Sequence, residues 1–462
     1  MILDSITVTA SQGSVNSRVL ASSAADLEAG NPILAGPVEI RWSRAASMLP
    51  PEPTEVTVYV LTPVDDPRVD LDINTRLTIT WGKAGTAATV FDGFTDSITW
   101  NPPEGRRVNG RRVQQVEITA ICPIGRRARQ RVGDEPWEAS SSTRRRLLIG
   151  QELLPEFDSN GLTVPDITQP PNTDDRYTWA AQLDIDSRSP VEVLQELLNA
   201  HRQILTPGTS PERPTIVAQR VPTRSRGTLV HSGGTVTLTA PSSMSAIVDI
   251  DARHADDTTR SRSFDSGLSA VTVEYELGDQ GYYPARSRMV SRTWGDLNSP
   301  GTSVRIKQGI VSLQYNPAGT DQSFEALVPE DPPWAAFYAA MVRPFDRNTT
   351  RLGPVRIPLS RLPDTAAPIL AALTDLNTRW GTDVRIDNAH GGVPPVHFPL
   401  GGVLVLSGDP DQCELTLDLE PAEFLTAPSV EWRDFGYAAA YPLFSAGAFT
   451  YDDAALASEV TT

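Results

Sequence analysis

RLTITWGKAGTAATVFDGFTDSITW, residues 76–100, decides the fold class. LTITW (77–81) and VFDGFTDSITW (90–100) alternate apolar with polar side chains, and WGKAGT joins them as a turn. A period of two sends successive side chains to opposite faces, so the stretch reads as half-buried antiparallel β structure. Gly93 sits inside the second run. A glycine within a strand predicts a bulge or the close approach of another backbone.

The same alternation extends outward on both sides. In TEVTVYVLT (54–62), Val56, Val58 and Val60 point one way and Thr57 the other, and VQQVEITAIC (113–122) repeats the pattern. Residues 1–135 therefore read as an N-terminal β unit, a sheet or small barrel. EPWEASSSTRRRLLIG (135–150) changes composition and reads as a linker, and residues 150–176, poor in pattern and rich in Pro and Asp (PDITQPPNTDD), read as a loop. Residues 136–235 form a linker and α+β unit carrying a helix over 189–205. Ser189 is its N-cap, Pro190 its first residue, and Glu192 completes a capping box. Val191, Leu194, Leu197, Leu198 and Leu205 make its apolar face, and Thr206-Pro207-Gly208 ends it.

Strands resume at PTIVAQRV, GTLVHSGGTVTLTAP with a turn at HSGG (231–234), AIVDIDA and LSAVTVEYEL (268–277). Residues 236–431 read as a second β unit with a helical insertion at about 330–381, made of DPPWAAFYAAMV (331–342) and TAAPILAALTDLNTRWG (365–381). Gly381 is the expected C-cap. GDPDQ (408–412) joins two alternating runs into a hairpin. Residues 432–462 are aromatic, rich in small residues and weakly periodic. They read as an extended C-terminal arm that orders against partners, with Trp432, Phe435, Tyr437 and Tyr441 as contact candidates.

Composition bounds the function. With 462 residues, 39 Pro and 32 Gly, the chain predicts several β-rich domains of short elements with α insertions. No run of 18 apolar residues is present, which excludes a membrane-spanning helix, and the first residues lack the basic and apolar regions of a signal peptide. Cys122 and Cys413 both lie in alternating apolar runs and read as buried free thiols. Arginine outnumbers lysine 38 to 2, the mark of GC-rich coding, although the net charge is -17. Arginine is a planar, bidentate donor suited to ion pairs between proteins.

That charge is uneven. Residues 101–146 hold eleven Arg against five acids, and residues 402–462 hold eleven acids against Arg433 alone. Complementary faces between subunits are one account, with Arg106, Arg107, Arg126, Arg127 and Arg129 as interface candidates. A solvated arginine loop and an acidic tail are the plainer one.

No enzyme signature is present: no H-E-x-x-H, C-x-x-C, P-loop, G-x-G-x-x-G or G-x-S-x-G. TWGKAGT (80–86) lacks the spacing of a phosphate cradle. DIDARHADD (249–257) brings together Asp249, Asp251, His254, Asp256 and Asp257, but matches no metal loop and reads as a solvated strand end. No catalytic residue, cofactor or metal is expected. The 101–146 arginines are not interleaved with aromatics, which argues against nucleic-acid binding. Nine scattered Trp leave a carbohydrate-binding module open, although Trp42, Trp81 and Trp100 sit in strand patterns where core packing is the simpler role.

Three segments carry a resemblance. LDINTRLTITWGKAGTAATVFDGFTDSITW, with Phe91, Gly93 and Thr95 in an F-x-G-x-T strand, resembles the first β domain of phage tail hub proteins. YTWAAQLDIDSRSPVEVLQELLNAHRQI resembles the helix that they place between tube-like β domains. LTLDLEPAEFLTAPSVEWRDF resembles the terminal strand-then-Trp pattern of minor tail proteins from actinobacterial siphophages. The resemblance implies a mainly β protein of tail tube or hub type, forming a homo-oligomeric ring, expected to be a trimer, at the distal tail tip. Its implied partners are the distal tail protein, the tape measure and the tip or fibre proteins, with genomic DNA passing through unbound. A distal tail protein, a hexameric ring, is the alternative. Assembly in the host cytoplasm and residence in the virion follow from it. A negative lumen would repel a translocating polyanion.

Overall fold

The computed structural model describes residues 5–131 apart from 13–15, 46–48 and 84, and residues 351–421 apart from 388–395. Between these lie 156–158, 177–180, 188–199, 203–220, 228–232, 235–239, 247–251, 255–256, 260–261, 268–279, 287–295, 297–298 and 302–314, and beyond them 430–431, 448–450 and 460–461. The fold is mainly β with short α insertions.

The first unit is a closed barrel. Its strands are β1 (Ser5–Gln12), β2 (Asn16–Ser22), β3 (Ile33–Leu34), β5 (Glu55–Pro63), β6 (Arg76–Lys83), β7 (Thr86–Trp100) and β9 (Arg111–Ile121). The order is β5-β3-β2-β1-β6-β7-β9, and pairing of β5 with β9 closes the ring. Closure removes the unpaired edges that would invite aggregation. The alternation read from the sequence is the inward set: Val56, Val58, Val60, Leu77, Ile79, Trp81, Val116, Ile118 and Ala120 are all buried.

The long strand β7 serves two neighbours. It pairs with β6 from Thr86 to Phe94 and with β9 from Phe94 to Trp100. The handover falls at Phe94, and at the preceding Gly93 an added Cβ would lie 2.3 Å from Ile121 O and 2.8 Å from the Phe91 ring. Gly93 thus marks a close backbone approach, the second of the two possibilities its position raised.

Strand β4 (Val38–Ser43) leaves the barrel between β3 and β5. It pairs instead with β24 (Val396–Leu406), more than 350 residues away, from Ser43↔Gly401 to Val38↔Leu406. The sheet it joins contains β16 (Ile247–Asp251), β22 (Val355–Pro358), β23 (Asp383–Asp387) and β25 (Glu414–Pro421), in the order β16-β23-β24-β25-β22. Gly401 and Gly402 make the crossing possible. A Cβ on Gly401 would stand 2.5 Å from Trp42 O, and one on Gly402 would stand 2.7 Å from the Trp42 ring. One continuous apolar core runs through the barrel and this sheet.

Smaller sheets complete the chain. β12 (Gln203–Thr209) and β13 (Pro214–Arg220) form a hairpin, with β10 (Phe157–Asp158) parallel to β13. β11 (Tyr177–Ala180), β18 (Leu268–Asp279), β19 (Ser287–Gly295) and β20 (Thr302–Gln314) form a mixed sheet in which β18 and β20 run parallel. β14 (Thr228–Ser232) and β15 (Thr235–Thr239) pair, and β17 (Arg260–Ser261) pairs with β21 (Arg351–Leu352). β8 (Arg107–Val108) forms a hairpin with the start of β9.

The helix α2 (Pro190–Asn199) has the expected capping box, with Glu192 N donating to Ser189 Oγ (3.2 Å) and Ser189 N donating to Glu192 Oε2 (2.8 Å). It stops at Asn199 rather than continuing to 205. Leu205 belongs to β12, opposite Ala218. Tertiary pairing overrides the helical spacing here, and Gln195 anchors the new strand by donating to Gln203 O and accepting from Leu205 N. Pro207 is tolerated because β12 is an edge strand.

The helix expected over 365–381 is also shorter. A single 3₁₀ turn at Asp364–Ala366 leads into α3 (Ala367–Thr374), and the C-cap is Asp375, not Gly381. Asp375 turns extended because its carboxylate accepts Thr89 N of the barrel (3.0 Å) and Asn377 N (2.9 Å). A short helix missing from the sequence reading, α1 (Pro123–Ala128), follows β9, and Cys122 Sγ caps it by accepting Gly125 N. His231 and Ser232 of HSGG end β14, with Ser232 opposite Thr235, while Gly233 and Gly234, the 135–150 linker and the 331–342 helix lie outside the described residues.

Gly93→Ala and Gly402→Ala should each destabilise the protein by about 2–3 kcal/mol through overpacking. Gly408→Ala, which meets nothing within 4 Å, should stay within about 0.5 kcal/mol. Urea unfolding of the three variants checks this, and equal midpoints for all three would remove the close-approach account.

Candidate interface

The five candidate arginines fall into two places. The first is the β8–β9 hairpin, turned by Asn109 (φ 50°) and Gly110 (φ 79°). Two successive positive φ values are what a tight two-residue hairpin turn demands, and Asn-Gly is its preferred sequence. That dipeptide is the local sequence signal for this hairpin. Arg107 and Arg112 sit directly opposite each other across this hairpin, and Arg111 opposes Val108. Arg106 pairs with Glu28, both well exposed.

The second place is α1. Arg127 makes a two-pronged pair with Glu156, with Nε and Nη2 each 2.8 Å from a carboxylate oxygen. Arg126 lies over the Phe94 ring at 4.2 Å and 3.8 Å from the same carboxylate. Burial pushes the Arg126 guanidinium below its ordinary value, and Glu156 opposes that shift. Glu156 is buried beside β13, so these two arginines hold the β10 segment onto the barrel. Arg129 bridges Asp96 and Glu55 at the surface. Arg126, Arg127 and Arg129 thus already have partners within their own chain. The aromatic candidates Trp432, Phe435, Tyr437 and Tyr441 lie outside the described residues. Ala448–Thr450, from the segment read as an arm, pairs with β14 of its own chain.

A feature without any sequence signal is a pair of buried arginines where β4 crosses β24. The Arg44 guanidinium stands 4.8 Å from the Trp380 ring centre and 4.6 Å from that of Phe398. Arg379 stands 4.6 Å from Trp42 and 5.3 Å from Trp380. Arg44 Nη2 donates to Trp380 O (3.0 Å), and Arg379 Nη1 donates to Val90 O of the barrel (3.1 Å). Burial lowers both guanidiniums to about 9, so both remain charged at neutral pH. Desolvated cation–π contacts contribute about 2 kcal/mol each.

The remaining sequence candidates have structural roles. Lys83 of TWGKAGT is buried, and its Nζ donates to Leu359 O (3.0 Å), tying the barrel to the second sheet. Asp249 and Asp251 lie on β16, in register with Arg385 and Asp387 of β23. Asp256 pairs with Arg361, and His254 is outside the described residues. Among the described residues, no group of three or more His, Cys, Asp or Glu could hold a metal ion. Cys122 and Cys413 are free and buried, and burial pushes the Cys122 thiol up. Among the described residues, no helix is long and apolar enough to cross a membrane.

Arg127→Ala should cost about 3 kcal/mol, because it strands a buried carboxylate. Arg112→Ala should be neutral or stabilising by about 0.2–1 kcal/mol, because it removes a cross-strand like-charge pair. Thermal unfolding of the two variants distinguishes the structural arginines from the surface set.

No protein-family model and no curated protein matches the sequence. Solved structures of similar fold include the tail protein from Neisseria meningitidis MC58, at 12% identity and TM-score 0.44, over 91% of this chain and 98% of that one. The 43 kDa tail protein of prophage MuSo2 from Shewanella oneidensis is similar at 10% identity and TM-score 0.44, over 91% and 99%. The prophage tail protein gp18 from Listeria monocytogenes is similar at 9% identity and TM-score 0.35, over 90% and 95%.

Proposed function

We propose that the chain is a structural protein of a phage tail, a hub-type subunit that forms a ring at the distal tip around the DNA path. The observation that carries this is the closed barrel with the F-x-G-x-T strand in its wall. Phe91 is buried, Gly93 receives the β9 backbone, and Thr95 is buried at the handover between β6 and β9. The residues that resemble the hub motif therefore lie on the strand that joins β6 to β9 in the barrel wall. A closed barrel is a rigid block without free edges, which suits a part that must carry load and pack against copies of itself. The net charge of -17 suits a ring through which a polyanion passes without binding. In this role the chain works by shape and contact, without chemistry of its own.

The tryptophans favour this over a sugar-binding module. Of those whose side chains are described, Trp42, Trp81 and Trp380 are buried and Trp294 is partly buried, which leaves Trp100 alone at the surface. Among the described residues, one exposed ring makes no stacking row for a glycan.

Native mass spectrometry of the purified chain, with rotational averaging of particles in the electron microscope, tests the proposal. Three-fold rings are expected. Six-fold rings would favour the distal tail alternative, and a chain that stays monomeric at every concentration would overturn both.

A further inference from the structure

We infer that the β8–β9 hairpin is the docking element for a second copy of this chain, which it grips by the carboxylates of the β24–β25 turn. This rests on the ring proposed above and names its contact. The hairpin places Arg107 and Arg112 directly opposite each other, with Arg111 beside them. All three are exposed, and among the described residues none of them makes an ion pair. Like charges directly opposed across two strands destabilise a hairpin. A rigid Asn-Gly turn that holds two uncompensated guanidiniums, Arg107 and Arg112, on one face is a ready site for an anionic surface, and the planar guanidinium favours carboxylate geometry.

The rest of the chain indicates which surface. The structure removes four arginines of the basic segment from contention, because Arg106, Arg126, Arg127 and Arg129 pair within the chain. It narrows the acidic segment in the same way. Glu414 pairs with Arg356, and Glu420 acts on Arg44. Among the described residues of that segment, Asp409, Asp411 and Asp418 make no ion pair, and Asp409 and Asp411 share the exposed tip of the β24–β25 turn. Asp409 stiffens that turn by accepting Asp411 N (3.1 Å) and Gln412 Nε2 (3.1 Å). The two tips are therefore of opposite charge, both exposed and both stiffened by local backbone geometry. One patch meeting a different patch on the next copy is the head-to-tail contact that generates rings. A nucleic acid is the weaker occupant, because the net charge of -17 repels it.

The test uses full-length protein in analytical ultracentrifugation at low and physiological salt. Arg107→Glu/Arg112→Glu should weaken self-association at least tenfold while the melting temperature holds. Arg107→Gln/Arg112→Gln should weaken it less. Asp411→Arg alone should also disrupt the ring, and adding Asp411→Arg to Arg107→Glu/Arg112→Glu should restore it. A wild-type ring that survives the arginine reversal with unchanged affinity overturns the contact and leaves the ring standing. A wild-type chain that never associates overturns both. Loss of duplex DNA retention in the arginine variant, with association unchanged, would assign the hairpin to nucleic acid instead.

Discussion

The crossing of β4 over β24 is the constraint on which the rest of the molecule depends. A strand from the first 45 residues supplies part of a sheet whose other members all come from beyond residue 246. The barrel and the second sheet therefore share one apolar core and cannot be separated without exposing it. Two glycines let the backbones approach, and Trp42 fills the space that they leave. Two buried arginines then fill the remaining gap between rings. Burying a charge is costly, and here aromatic faces and backbone carbonyls offset that cost. Lysine would serve poorly in this place, because its compact, strongly hydrated ammonium cannot stack on two rings at once.

The same economy of contact governs the surface. Several of the arginines that give the chain its uneven charge are fasteners within it. Arg127 holds Glu156, Arg129 spans Asp96 and Glu55, and Arg76 grips Asp92 while reaching Ser210 O and Pro211 O at the β12–β13 turn. Among the described residues, some uncompensated charge remains at Arg107, Arg112, Asp409 and Asp411. It sits on hairpin tips, where a rigid backbone can present charge to a neighbour at little entropic cost. For a protein argued to act by assembly, such leftover charges are more informative than the overall balance.

Much of the fold was legible in the sequence, because period-two alternation is a local property. The strands at 54–62, 77–81, 90–100, 113–121 and 414–420, the capping box at Ser189 and Glu192, and the buried thiols are all set by the side chains' own neighbours along the chain. The errors also share a cause. Leu205 kept helical spacing but pairs as a strand, and the 365–381 helix ends early because Asp375 is captured by the barrel. In one case the next strand of a hairpin, and in the other a barrel residue far away in the chain, overrode the helical preference.

The candidate interface was legible only as charge. The sequence by itself determined that residues 101–146 are basic, that residues 402–462 are acidic, and that Gly93 needed a special backbone environment. Only the tertiary structure decided which arginines are internal fasteners and which are exposed, that Arg107 and Arg112 oppose each other, and that Arg44 and Arg379 are buried at all. The physical reason is that an ion pair or a cation–π contact depends on distances between residues far apart in the chain. Barrel closure and the β4–β24 crossing set those distances, and no local pattern encodes them.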